Sequence, residues 1–193
     1  MTASGFLPVC LINNRLMFLF GLEAPCEDSA KGYSDFVGGV DKNENEKSDK
    51  GIYTSGLREC SEELSGFLGG PKEFDQLVRK NGGYIKYTHH NCGSAYHIHV
   101  FRLDYDEKLV QYYNASHKYL YEKLDHRLLQ ETNVFEKIKI KWFTVEMMKK
   151  EMNTFRSFYR DIVRELIEEA PTIKLFIKNT MNNENKKTKK RRI

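Results

Sequence analysis

The sequence predicts a single α/β domain built on a mixed sheet, on three observations. At 193 residues and 40% hydrophobic content, the chain can bury one core and is too short for two comfortable domains. Short apolar runs rich in aromatic and β-branched residues, which suit strands, are separated by segments of helical period. The strongest run, Ala95 to Tyr105 (AYHIHVFRLDY), is apolar on both faces, as expected of a buried strand in a mixed sheet.

Taken in order, Phe6 to Ile12 and Leu16 to Gly21 are strands around Asn13-Asn14-Arg15, the composition of a hairpin turn. Pro8 and the Asn-Asn-Arg turn interrupt this apolar stretch and no basic region precedes it, so neither a signal peptide nor a membrane span is expected. Asn43 to Lys50 (NENEKSDK) reads as an enlarged polar loop. Thr54 to Phe67 reads as a helix, with Leu57, Cys60 and Leu64 at i, i+3 and i+7 facing a core. Lys72 to Arg79 is a short helix, ended by Gly82-Gly83 ahead of a strand over Tyr84 to Thr88. Asn114 is expected to cap a helix running to about Gln130, packed through Leu120, Leu124 and Leu128.

Phe135 to Phe143 then alternates as a strand with lysines on one face. Thr154 to Glu169 closes the domain as an amphipathic helix, with Phe155, Phe158, Tyr159, Ile162, Val163 and Leu166 toward the core. From Asn179 the apolar period stops, which predicts a domain over 1–178 and a disordered basic tail over 179–193. Formal net charge is +4, yet six positive charges lie between Lys186 and Arg192, so the rest of the chain is slightly acidic. Cys10, Cys26, Cys60 and Cys92 show no Cys-x-x-Cys spacing and read as free thiols of a soluble intracellular protein, with nuclear entry possible through the tail.

The chemistry concentrates on the helix over Thr54 to Phe67. Glu59, Glu62 and Glu63 fall at i, i+3 and i+4 and share a face, expected to look outward. Like charges on adjacent turns repel, so a cation among them explains the arrangement, and a hard divalent ion suits carboxylates best. Alone, the spacing also describes an ordinary solvated acidic face.

Arg58-Glu59-Cys60-Ser61-Glu62-Glu63 resembles the Arg-Glu-U-x-Glu-Glu heart of the Nudix box, U being aliphatic and replaced here by Cys60. Phe20-Gly21-Leu22-Glu23 is similar to the strand end found in many Nudix proteins. Tyr33-Ser34-Asp35-Phe36-Val37-Gly38-Gly39 resembles the Trp-Ser-Asp-Phe-Gly-Gly stretch of a subgroup common in large DNA viruses and algae, and the strand ending in Trp142-Phe143 resembles the late Nudix strand. The resemblance implies a Nudix-type α/β/α sandwich and a hydrolase of phosphoric anhydride bonds in nucleoside diphosphate derivatives. It implies Mg²⁺ or Mn²⁺ held by Glu59, Glu62 and Glu63, with Glu59, Glu63 and Arg58 in the catalytic group, Arg58 orienting the carboxylates, and Gly38 and Gly39 in the box loop. Two departures stand out. The glutamate that the pattern expects upstream of Arg58 is replaced by Lys50, leaving Asp49, Glu46 or Glu44 to supply the acid, and Leu64-Ser65-Gly66-Phe67 carries one extra residue.

The resemblance further implies a carboxylate from downstream, for which Asp104, Asp106, Glu107 and Glu136 are candidates. His89, His90, Cys92, His97 and His99 invite a zinc site, although hydrogen-bonded neutral strand histidines are commoner. Arg156, Arg160 and Arg164 form either a phosphate-binding edge or a solvated face, with Arg164 and Glu168 as an i, i+4 pair. Tyr33, Phe36, Tyr84 and Tyr87 are available to stack a base, and core packing is their commoner use. A small or cap-like nucleotide diphosphate substrate ranks first. The alternatives are a messenger RNA decapping enzyme that holds RNA through Lys186 to Arg192, and a Nudix-like nucleotide- or RNA-binding module without catalysis.

Overall fold

The computed structural model describes residues 2–24, 31–40, 48–91, 93–125, 127 and 135–190. Strands β1 (Thr2–Ile12) and β2 (Arg15–Glu23) form the expected hairpin. Its turn holds Asn13 and Asn14 at φ of 48° and 63°, the left-handed region that a tight hairpin turn requires and that asparagine tolerates.

Strand β1 is the hub of the sheet. Its first half pairs antiparallel with β4 (Phe36–Gly39), its second half antiparallel with β2, and its other edge runs parallel to β6 (Ser94–Arg102). Strand β5 (Tyr84–Asn91) extends that edge, while β3 (Tyr33–Ser34) and β7 (Lys137–Thr144) add to β2. Among the described residues, the sheet is therefore mixed and seven-stranded.

Alternation along β1 sends Leu7 and Val9 to one face and Phe6 and Cys10 to the other, and all four are buried. Helices α1 (Asp49–Glu63), α2 (Pro71–Lys80) and α3 (Glu107–Lys123) cover the Phe6 face through Leu57, Cys60, Phe74, Val78 and Tyr113. Helices α4 (Val145–Lys150), α5 (Arg160–Glu168) and α6 (Ala170–Lys190) cover the other through Met148, Ile162, Val163, Leu166, Ile173 and Ile177. This is the predicted α/β/α sandwich.

The structure corrects the expected elements in four places. Helix α1 starts at Asp49 rather than Thr54, because Ser48 caps it by accepting the Gly51 N–H at 3.0 Å. Asn114 lies inside α3, which is capped by Asp106, and the buried residues of that helix are Tyr113 and His117; Leu120 and Leu124 are half-buried, and Leu128 lies outside the described residues. The closing segment begins as two 3-10 turns, Met152–Thr154 and Ser157–Tyr159, so Phe158 turns outward and is 45% exposed. The last helix continues to Lys190, past Asn179 where the sequence predicts no regular structure. No Gly or Pro follows Pro171, so a helix docked through Ile173 and Ile177 can propagate. Residues 191–193 lie outside the description. Among the described residues, no helix is long and apolar enough to cross a membrane.

Candidate active site at the junction of β4 and α1

Helix α1 packs closely over β1 and β4. Ser4 Oγ donates to the Ile52 carbonyl at 2.6 Å, and Gly56 permits the approach, since a Cβ there would stand 2.8 Å from Ser4 Oγ and 3.2 Å from the Phe6 ring. One turn later the Glu59 carboxylate occupies the space that a side chain on Gly38 would fill. Gly39 has open space around it. Of the two glycines singled out in the sequence, Gly38 is therefore the one that the helix requires.

Arg58 gathers two of the three motif glutamates, with Nη2 at 2.8 Å from Glu59 Oε1 and Nη1 at 3.1 Å from Glu62 Oε2. A planar guanidinium fixes carboxylate rotamers in this way. Burial raises the Glu59 carboxyl above its usual range; Arg58 opposes the shift, while Glu62 and Glu136 add to it. The Glu62 side chain is 59% exposed.

Glu63 behaves differently, which corrects the expectation that all three carboxylates look outward. Its side chain is 3% exposed and turned inward. One oxygen accepts the Val37 N–H at 2.9 Å and the other lies 3.4 Å from Lys137 Nζ. Burial pushes its carboxyl well up; Lys137 opposes this, and Glu23, Glu136 and Asp35 reinforce it. At about 100° per residue, Glu63 lies about 40° round from Glu59 on the side of Cys60, so the wheel itself points it toward the packed face.

Lys137, Glu23, Ser34 and Asp35 were not singled out as site residues from sequence. The Lys137 ammonium contacts Glu23 Oε1 and donates to Ser34 Oγ at 2.8 Å, and Arg156 Nη1 also contacts Glu23. The β2–β7 register shifts between Leu22 and Glu23, and this irregularity re-aims Lys137 away from the face of the other strand lysines. Gly21 leaves room for its stem, since a Cβ there would meet Lys137 Cγ and Cδ at 2.9 Å. Beside this group, fully buried Asp35 accepts from the Tyr96 hydroxyl at 2.5 Å. Its other oxygen and the nearby Tyr159 hydroxyl close no hydrogen bond of normal geometry. Burial raises the Asp35 carboxyl to about 6.

Most of the remaining candidates within the described residues have structural partners. Asp106 caps α3 by accepting Lys108 N–H at 2.8 Å, Glu107 occupies its first turn, and Asp104 lies 3.8 Å from Arg102. Asp49 pairs with Lys86 at 2.6 Å; Glu44 and Glu46 lie outside the described residues. His97 Nδ1 bonds with Thr88 Oγ1 and His99 Nδ1 with the Gly5 carbonyl, each at 3.0 Å, and burial lowers the proton affinity of both imidazoles. His89 pairs with Glu165 at 2.7 Å, and Cys92, like Cys26, lies outside the description. Arg160 donates to the carbonyls of Phe155 and Asn153, and Arg164 pairs with Asp161 instead of Glu168. Tyr33 and Phe36 are core residues, Tyr87 donates to Glu169, and Tyr84 is 40% exposed. Cys10 and Cys60 are buried free thiols.

Among the described residues, no three His, Cys, Asp or Glu side chains converge on one point. The donor types still fit a hard divalent ion. Glu59 and Glu62 are already gathered around one cation, the Arg58 guanidinium, and Glu136 lies close enough to raise the Glu59 carboxyl. Mg²⁺ takes such a set, a few carboxylates completed by phosphate and water.

No protein-family model matches the chain, and no curated protein matches its sequence. Among solved structures, it is similar to the C. elegans Ap4A hydrolase in a binary complex, at 14% identity and a TM-score of 0.47 over 89% of this chain and 95% of that one. It is also similar to the NUDIX domain of Shewanella oneidensis NrtR complexed with ADP ribose, at 10% identity and a TM-score of 0.44 over 89% and 86%.

Proposed function

We propose that the chain is a Nudix-type hydrolase that cleaves a phosphoric anhydride bond in a nucleoside diphosphate derivative, dependent on Mg²⁺ or Mn²⁺. The observation that carries this reading is the gathering of Glu59 and Glu62 by Arg58, with the Glu59 carboxylate seated against Gly38. Glu59 and Glu62, the two carboxylates gathered at Arg58, are the residues assigned to hold the ion, with phosphate and water completing its shell. The chemistry that a divalent ion supplies there is neutralisation of the diphosphate and acidification of a water. Water attacks phosphorus, the bond to the leaving phosphate breaks, and the proton that the water gives up passes to a carboxylate of the site. Arg58 keeps Glu59 and Glu62 in register, and Gly38 keeps the space in front of Glu59 free of side chain.

A nucleotide panel assayed with and without Mg²⁺ or Mn²⁺, for wild type and Glu59→Gln, tests this. Metal-dependent turnover that falls by about two orders of magnitude or more in the variant is expected. Equal rates in the two proteins, or no turnover by either, would defeat it. One observation favours a second reading, a nucleotide-binding module without catalysis: the buried Lys137 ammonium already compensates Glu63. That reading expects nucleotide binding by calorimetry with no turnover.

A further inference from the structure

On the metal-dependent reading, we infer that Lys137 takes the place of a divalent ion at Glu63, so that Glu63 is a positioning residue and the ion is held without it. Both Glu63 oxygens are engaged, one by the Val37 N–H at 2.9 Å and one by Lys137 Nζ at 3.4 Å. An ammonium has three protons to donate, and Lys137 has three acceptors around it, Glu23, Ser34 and Glu63. The Lys137 ammonium, shared with Glu23 and backed there by Arg156, already supplies at Glu63 the positive charge that a dication would supply, even with Asp35 and Glu136 adding negative charge nearby.

The position of Lys137 is built into the fold. Its side chain is 0% exposed, the shift in the β2–β7 register aims it inward, and Gly21 makes room for its stem. Driving the ammonium out would strand Glu23 in the interior with Arg156 as its remaining cation, and a buried charge that loses a partner is costly. Glu63 then acts through the backbone. By holding the Val37 amide it fixes the strand next to Gly38, where Glu59 rests.

The test is Mn²⁺ titration by calorimetry of the full chain, comparing wild type with Glu59→Gln, Glu63→Gln, Lys137→Met and Lys137→Arg, with turnover recorded alongside. Glutamine at 63 can still accept the Val37 N–H, so Glu63→Gln should keep Mn²⁺ affinity within about threefold of wild type, whereas Glu59→Gln should weaken it at least about tenfold. Lys137→Met should bind one Mn²⁺ per chain more than wild type, and Lys137→Arg, which restores the charge, should return the stoichiometry to that of wild type. A Glu63→Gln loss as large as that of Glu59→Gln, or a folded Lys137→Met with no added ion, overturns the inference. If Lys137→Met fails to fold, the Glu63→Gln comparison decides. If wild type binds no Mn²⁺ and turns nothing over, the hydrolase reading fails on its own; Mn²⁺ uptake by Lys137→Met then still supports the role of Lys137, and its absence ends both.

Discussion

The Asn114 side chain serves Ile140 as a neighbouring strand would: its Nδ2 donates to the Ile140 carbonyl at 3.1 Å, and its Oδ1 accepts the Ile140 N–H at 2.8 Å. Helix α3 thereby clips strand β7, the strand that carries Lys137 and follows Glu136, with a two-point bond. Asn114→Ala should leave two partly buried backbone groups unpaired and cost about 1–3 kcal/mol in urea denaturation, with an unchanged slope. Asn114→Asp keeps the acceptor and loses the donor, so it should fall between wild type and alanine. An alanine variant within about 0.5 kcal/mol of wild type would show the clip to be unimportant to stability.

Gly38 separates site effects from folding effects. Its backbone is not in the left-handed region, so alanine fits the strand, yet the added methyl would sit where the Glu59 carboxylate lies. Gly38→Ala should therefore shift Tm by no more than about 4 °C and lower turnover about tenfold or more by displacing Glu59. Gly39→Ala, into open space, should leave both nearly unchanged. If the two substitutions behave alike, Glu59 does not depend on that contact.

What the sequence reveals is mostly local chemistry. The Asn13-Asn14 turn, the Gly82-Gly83 break and the Leu57, Cys60, Leu64 stripe are legible because left-handed backbone preference and helical period act over a few residues. The partners of the site are not local. Whether Lys137 faces out with Lys139 or in toward Glu23 depends on a shift in a ladder formed with a strand more than a hundred residues away. Asn114 has the composition of a cap, and only the proximity of Ile140 gives its amide a better partner. Glu63 was legible in part, since the helical wheel sets it on the border beside Cys60, but a motif read as three equivalent acids hides that offset.

Asp35 predicts an acid-side gain in stability. Burial raises its folded carboxyl to about 6 from a usual value of 3.8, against the opposing pull of the Tyr96 hydroxyl and of Lys137. The folded state thus holds more protons than the unfolded one between those values, so the contribution of Asp35 favours folding below about pH 4, fades as pH rises through about 6, and then levels off. Asp35→Asn keeps the acceptor for Tyr96 and offers an N–H toward the Tyr159 hydroxyl. Its stability relative to wild type should climb between pH 4 and 6 and exceed wild type at pH 7.5 by on the order of 1–3 kcal/mol. A difference between the two proteins that does not vary with pH would mean that Asp35 does not titrate in that range.

The end of the folded unit can be located by truncation. Thr180 lies beyond the boundary at 178 that the sequence predicts, yet the residue is only 7% exposed, and its Oγ1 donates to the Ile177 carbonyl at 2.8 Å. It also packs on Gly82, where a Cβ would stand 2.7 Å from Thr180 Cβ, and Gly82 adopts a φ of +96° in the turn between α2 and β5. Helix α6 therefore braces that turn from the far side of the sheet. A chain ending at Lys178 loses the brace and should be less stable by about 1–2 kcal/mol, whereas one ending at Asn183 keeps Thr180 and should match the full chain. Gly82→Ala should be at least as damaging as the shorter truncation, because it combines the clash with a strained left-handed backbone. Thermal and urea unfolding of the three proteins against wild type decides the matter: if the chain ending at Lys178 is as stable as that ending at Asn183, the packed domain stops where the apolar period stops, and Thr180 contributes nothing to it.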